Sequence, residues 1–198
     1  MKVDILNTDR RYQIIYADPP WAFKTYSDKG KEHKSAECHY HCMNIQDIYN
    51  LPVQKIANIN SVLLIWVTMP MLQQGIETIK QWGFTYKTCA FTWIKQNINA
   101  DSKFMGCGYY TRANAELCLL ATKGKILNRE SHSVRQIIES KIREHSRKPD
   151  EARDRIVELF GNLPRIELFA RQNVAGWDCW GNEAPEIEMT NKKENIND

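Results

Sequence analysis

The residues most open to a chemical reading are Asp18-Pro19-Pro20-Trp21, near the start of the chain. A carboxylate accepts hydrogen bonds, and two prolines fix φ and remove two backbone donors, so the carbonyls around them are held in set directions. An indole closes the run. An acceptor-rich corner beside an aromatic suits a flat, amine-bearing ligand such as a nucleobase. The competing reading is a turn that ends a strand and leaves a carboxylate on the surface.

Cys38-His39-Tyr40-His41-Cys42 has the residue types of a metal site. Its spacing matches no paired-knuckle pattern and no second Cys/His pair lies near it, so a pocket-lining loop is expected, with a zinc-binding interaction module as the alternative. The six cysteines show no framework spacing and are expected to be reduced. Between residues 123 and 148, eight basic residues (Lys123, Lys125, Arg129, Arg135, Lys141, Arg143, Arg147 and Lys148) outnumber three acids (Glu130, Glu139 and Glu144). A phosphate-tracking surface and a solvated helix face both fit that excess. Asn114 and Glu116, at the start of an apolar run that faces a polar loop, fit a polar substrate pocket or a structural hydrogen bond.

The elements that position these groups follow from hydrophobic pattern. At 198 residues, 42% hydrophobic and 26% charged, the chain is one domain with an ordinary globular composition. A net charge of +3 says little by itself about nucleic acid. No apolar run approaches membrane-spanning length and no signal-peptide pattern opens the chain, so a soluble, cytoplasmic protein is expected. Ile14-Ile15-Tyr16-Ala17 reads as a buried strand that the prolines stop at Asp18.

Val3-Asp4-Ile5-Leu6 reads as an edge strand or flap, and residues 22–43 as a long functional loop bearing Lys24, Lys29, Lys31 and Lys34. A short helix broken at Pro52, a strand over 61–68, a helix from Pro70 to Trp82 and a strand over 84–95 come next. A second polar loop over 96–114 leads to a strand over 116–122. An amphipathic helix over 133–144 is predicted from Val134, Ile137, Ile138 and Ile142, and another from Pro149 to Phe160. A last strand over 165–170, a compact aromatic turn over 177–183 and a disordered tail over 184–198 complete the pattern. Strands alternating with helices, most of them fully apolar, predict a doubly wound, mostly parallel α/β sheet with ligands at the carboxyl ends of its strands.

At a strand end, Asp18-Pro19-Pro20-Trp21 resembles the signature of S-adenosylmethionine-dependent adenine-N6 methyltransferases of the DPPW type. That family includes the eukaryotic mRNA adenosine methyltransferase catalytic subunit and bacterial and phage DNA methyltransferases. Ile65-Trp66-Val67-Thr68, Trp93-Ile94-Lys95, Glu116-Leu117-Cys118, Lys123-Gly124, Ser146-Arg147-Lys148-Pro149-Asp150-Glu151, Ile166-Glu167-Leu168-Phe169 and Trp177 with Gly181-Asn182 fall in its order and approximate spacing. The resemblance spans residues 12–183, which implies a single-domain class I methyltransferase over 1–183 with a Rossmann-like sheet. The catalytic motif comes first and the cofactor-binding strand last, a permuted order that explains why no glycine-rich turn follows the first strand.

The resemblance implies specific roles. Asp18 and the Pro19 carbonyl would accept from the adenine 6-amino group, aiming its lone pair outward for direct in-line transfer, with Pro20 stiffening the turn and Trp21 walling the pocket. No metal and no covalent intermediate are required. Tyr40 would line the target-base pocket. S-adenosylmethionine would be held by Asp4, Ile5, Asp18, Lys148 (toward the methionine carboxylate), Phe169, Arg171, Asn173, Asn182 and Glu183. Ala170 stands where the family often has glycine, and the segment at Gln172 is shorter than in the eukaryotic enzymes. Nucleic acid is the implied partner, DNA ahead of RNA because the chain is compact, acting as monomer or homodimer, and a duplex target would have to be flipped. The alternatives are an RNA adenosine N6-methyltransferase and a catalytically silent nucleic-acid-binding partner subunit.

Overall fold

The computed structural model describes residues 1–22, 43–144 and 147–182. In it the run ahead of Asp18 forms β1 (Tyr12–Ala17). Its side chains alternate between two apolar layers, Ile15 and Ala17 on one face and Ile14 and Tyr16 on the other, and all four are essentially inaccessible. A strand buried on both faces needs neighbours on both edges, and β1 has them.

The chain continues through two short helices, α1 (Ile45–Tyr49) and α2 (Val53–Ile56), to β2 (Ala57–Val67). Asn44 caps α1, its side chain accepting from the Gln46 N–H. A 3-10 turn at Met69–Met71 leads into α3 (Leu72–Gln81), then β3 (Thr85–Gln96) and β4 (Ala115–Lys123). The last elements are β5 (Ile137–Lys141), α4 (Asp150–Phe160), β6 (Arg165–Leu168) and β7 (Asp178–Trp180).

The seven strands form one sheet in the order β5-β3-β4-β2-β1-β6-β7. Four strand pairs are parallel, and only β4 runs against both of its neighbours. Helices cover both faces: Ile48, Val53, Ile56 and Ile79 of α1 to α3 pack on the face of Ile15, and Ala152, Ile156 and Phe160 of α4 on the face of Ile14. This is the expected Rossmann-like, doubly wound arrangement. Among the described residues no helix is long and apolar enough to cross a membrane.

Three expectations are corrected. Residues 133–144 do not form a helix: Ile137–Lys141 is β5, hydrogen-bonded parallel to β3 with Ile138 opposite Trp93. Ile138 is fully buried while Ile137 is 55% exposed, the one-in, one-out pattern of an edge strand, whereas a helix would bury both. The aromatic turn at 177–183 contains β7, which extends the sheet beyond β6. The segment Val3–Leu6 is not a strand; Lys2 makes a single bridge to Cys179, and Asp4 then turns the chain by accepting from the Leu6 N–H and the Asn7 amide.

Candidate active site

Because β1, β2 and β6 are parallel, their carboxyl ends share one edge of the sheet, and antiparallel β4 delivers its amino end there. Asp18, Phe169 and Glu116 therefore meet at that edge from three distant stretches of sequence. The prolines build a rigid corner. The Pro19 carbonyl accepts from the Trp21 N–H at 2.8 Å and the Pro20 carbonyl from the Met43 N–H at 3.2 Å. A carbonyl has two lone pairs, so Pro19 keeps one acceptor direction in hand. Trp21 is buried, its indole donating to the Trp66 carbonyl at 2.9 Å, and it belongs to the core that supports the corner. Beneath lies Tyr16, whose hydroxyl accepts from the Trp66 indole at 2.6 Å.

Charges alternate across the edge. Lys148 Nζ sits 2.9 Å from Asp18 Oδ1 and 3.1 Å from Glu116 Oε2, and Glu116 also holds the ammonium of Lys95. Burial works against the Lys148 cation, but the charges of Asp18 and Glu116 outweigh it and hold its pKa above the ordinary value. Burial likewise pushes Asp18 above the usual carboxylate range, against the pull of Lys148 and helped by repulsion from Glu116. Glu116 is opposed by burial too, yet the charges of Lys148 and Lys95 bring it below its ordinary value.

Toward β6 the edge opens into a cleft of about 200 Å³ lined by Tyr16, Asp18, Glu144, Arg147, Lys148, Arg153, Glu167, Phe169, Arg171 and Gln172. Glu167, whose carboxylate takes Arg153 at 3.0 and 3.2 Å, is pushed up to about 7, chiefly by burial, against the charge of Arg153. Asp150, at the start of α4, resists burial through its Arg143 hydrogen bond and the charges of Arg153, Arg143 and Arg147, which bring it to about 2. Phe169 has φ of 61°, the one non-glycine residue with positive φ among those described. Side chains rarely adopt this region, and such backbone strain clusters at functional sites. It is held by an edge-to-face contact with Trp180 at 5.3 Å and by the Ala170 N–H donating to the Trp180 carbonyl at 2.9 Å. Gly181 lies against this turn so closely that a Cβ would come within 2.4 Å of the Ala170 carbonyl oxygen.

Of the residues singled out from sequence, the cleft unites Asp18, Lys148, Phe169 and Arg171. Glu116 joins through Lys148. Lys148 itself lies between two carboxylates, where the sequence reading had it facing a ligand. Asn173 accepts from the Cys179 thiol at 2.9 Å, Asn114 holds the Lys95 N–H through its carbonyl, and Asn182 is exposed after β7. Ile5 is buried in the core and Asp4 is exposed in its own turn. Tyr40, Glu183, the Cys38 to Cys42 cluster, the lysines of the 22–43 loop and the tail all fall outside the described residues. Among those described, no trio of metal-ligating side chains converges. The basic stretch is not one surface: Arg143 and Arg147 pair with Asp150 and Lys148 with Asp18, while Lys125, Arg129, Arg135 and Lys141 are exposed.

The sequence reading missed Lys95, Arg153 and Glu167. A carboxylate inside an otherwise apolar strand was a signal for Glu167, and Arg153, on the buried stripe of α4 with Ala152 and Ile156, for its partner. Lys95 had no such mark, since its role depends on the pairing of Trp93 with Glu116.

The model of one family, MT-A70, matches residues 12–183, which takes in every element of the site just described. The chain belongs to the MT-A70 family. Members of MT-A70 are methyltransferases that use S-adenosylmethionine. The chain is 35% identical to the Type II methyltransferase M.MunI of a Mycoplasma species, over 91% of this chain and 81% of that one. It is 27% identical to an Arabidopsis thaliana N(6)-adenosine-methyltransferase MT-A70-like protein and 25% identical to the human N(6)-adenosine-methyltransferase catalytic subunit METTL3. It covers 96% and 90% of itself in those two matches but spans only 26% and 29% of their lengths.

The residues present fit the MT-A70 cofactor. Carboxylate acceptors (Asp18, Glu167), cationic donors (Arg147, Arg171), an amide (Gln172) and an aromatic ring (Phe169) share one cleft, groups complementary to an amino acid joined to a nucleoside through a positive sulfur.

Proposed function

We propose that the protein transfers a methyl group from S-adenosylmethionine to the 6-amino group of adenine in nucleic acid, DNA ahead of RNA. The observation that carries this reading is the Asp18 carboxylate, fixed at the carboxyl end of β1 by two prolines in front and Lys148 behind, at the mouth of the cleft. The bound cofactor supplies a methyl group activated by positive sulfur; the chain supplies orientation and acceptors. An exocyclic amine on adenine is a poor nucleophile because its lone pair is delocalised into the ring. Asp18 and the free lone pair of the Pro19 carbonyl accept its two hydrogens, which favours a pyramidal nitrogen and stabilises the charge that develops there. Transfer leaves one proton too many on the nitrogen. Asp18, with its pKa raised by burial, takes that proton and passes it to solvent.

Asp18, Lys148, Phe169, Arg171, Asn173, Asn182 and Glu183, with Asp4 and Ile5 alongside, are the residues we assign to the cofactor, and Tyr40, Asn114 and Glu116 to the target base. DNA is favoured because M.MunI, a relative of similar length, is named a Type II methyltransferase, whereas the Arabidopsis and human relatives named as adenosine methyltransferases are several times longer than this chain. The near-full span of this chain in those longer relatives is what supports RNA as the second reading. We assign the protein to the cytoplasm, as a monomer or homodimer.

The test is tritiated methyl transfer to duplex DNA, single-stranded DNA and RNA. Product nucleosides are analysed for N6-methyladenine, with Asp18→Ala as the control. Transfer to DNA that Asp18→Ala abolishes is the expected result. Transfer to RNA alone selects the second reading, and binding to a polymer without transfer to any of them selects a silent partner subunit.

A further inference from the structure

We propose that Arg147, and not its neighbour Lys148, takes the carboxylate at the amino-acid end of the cofactor and anchors that end in the cleft. The inference rests on the proposed function, since it names a contact inside the site which that function requires.

Among the described residues four cations line the cleft: Arg147, Lys148, Arg153 and Arg171. Three of them are engaged with carboxylates of the protein. Lys148 Nζ lies 2.9 and 3.0 Å from the two oxygens of Asp18 and 3.1 Å from Glu116 Oε2, so its charge is divided between two acids. Arg153 is held by Glu167 at 3.0 and 3.2 Å and by Asp150. The charge of Arg171 acts on Asp18, whose pKa it draws down.

Arg147 is held loosely. Its guanidinium reaches Glu144 at 3.4 Å and Asp150 at 3.3 and 3.4 Å, whereas a firm charge-assisted hydrogen bond is about 2.7–2.9 Å long. Asp150 is already taken by Arg143 at 2.6 Å and by Arg153. The Glu144 side chain is 64% exposed, so water screens its charge. Arg147 Nε is buried and donates to nothing among the described residues. A buried donor without an acceptor costs free energy, and a loosely held side chain can turn to meet one.

The backbone beneath is fixed. The Arg147 N–H donates to the Glu144 carbonyl at 3.0 Å, the Lys148 carbonyl accepts from the Arg143 guanidinium, and Pro149 then opens α4. From this anchored stretch Lys148 reaches the catalytic corner, while Arg147 lines the cleft with Phe169 and Gln172.

The ligand chemistry follows from the guanidinium. Its planar fork matches the two oxygens of a carboxylate, where an ammonium offers a single point of charge. Arg147 is the cleft cation whose own acids are distant enough to yield to a closer one. Lys148 then serves the cofactor by holding Asp18 in place. A backbone phosphate of the nucleic acid is the rival occupant, but the Arg147 side chain is only 33% exposed and belongs to the cleft wall.

Calorimetric titration of the full-length chain with S-adenosylhomocysteine and with its decarboxylated analogue separates this contact from a structural one. Wild type is expected to bind S-adenosylhomocysteine about tenfold more tightly than the analogue. Arg147→Met should lose about tenfold for S-adenosylhomocysteine and less than about twofold for the analogue, with Arg147→Lys in between. Arg147→Gln gives the same readout if the methionine variant does not fold. Equal loss on both ligands, or loss on neither, overturns the proposal. So does a carboxylate-selective loss in Arg171→Met that Arg147→Met does not share. Weaker DNA binding with unchanged S-adenosylhomocysteine binding also overturns it, and gives Arg147 to a phosphate. If wild type binds S-adenosylhomocysteine but methylates no polymer, the proposed function fails and the same titrations still judge Arg147. If it binds neither ligand, both readings fall.

Discussion

Lys148 Nζ lies 2.9 Å from Asp18 Oδ1 and 3.0 Å from Oδ2, although 130 residues separate the two in sequence. The same ammonium reaches Glu116 at 3.1 Å, so one cation bridges two carboxylates, the second of which also holds Lys95. A resting enzyme without Lys148 would hold two like charges across an empty gap.

Lys148→Met is therefore expected to destabilise the fold by about 3 kcal/mol, the cost typical of removing one partner from a buried pair. Urea denaturation at neutral pH measures it. Loss of activity with unchanged stability would mean that Lys148 serves the ligand and not the fold.

Glu116→Gln tests the coupling differently. Repulsion from Glu116 raises the Asp18 pKa, so its removal lowers that pKa and leaves Lys148 to Asp18 alone. The acid limb of the kcat/KM profile should move to lower pH. A limb that stays in place or moves up would detach Glu116 from the catalytic carboxylate.

Glu167 sets a pH dependence of stability. Its carboxyl is pushed from the ordinary 4.5 to about 7 in the folded chain, chiefly by burial. Below 4.5 both folded and unfolded chains carry the proton and its contribution is fully present. As pH rises toward 7 the unfolded chain releases it first, and that contribution is lost. Wild type should lose on the order of 3 kcal/mol more than Glu167→Gln over that window. Parallel stability curves for the two proteins would show that Arg153 neutralises the strain completely.

Gly181→Ala places a Cβ within 2.4 Å of the Ala170 carbonyl and 2.9 Å of the Phe169 carbonyl carbon. The turn that carries Phe169 at positive φ must shift. The expected cost is about 2 kcal/mol in stability, with weaker S-adenosylhomocysteine binding in calorimetry. Full binding by a stable variant would remove this turn from the cofactor site.

Much of this was legible in the chain. The β-branched run into Asp18 and the paired prolines mark the strand and its end, and Pro149 followed by Asp150 and Glu151 marks the helix behind Lys148. Residues 133–144 misled because Val134, Ile137, Ile138 and Ile142 suit a helical period; only the edge of β3, supplied by tertiary structure, makes Ile138 a strand residue. The reversal of β4 was equally hidden. Without it, Glu116 has no visible connection to Asp18, because strand order is set by packing across the sheet and not by any local signal.

That reversal has a further consequence. A parallel partner for β3 would require a crossover that carries the chain away from the catalytic edge, whereas the hairpin to β4 keeps its connection there. The half of the edge that carries the cleft, at the ends of β1 and β6, is built without it. Lengthening a surface connection costs only about 0.6 kcal/mol per doubling. The connection between β3 and β4 can thus change in length without displacing the strands that carry Asp18 and Phe169.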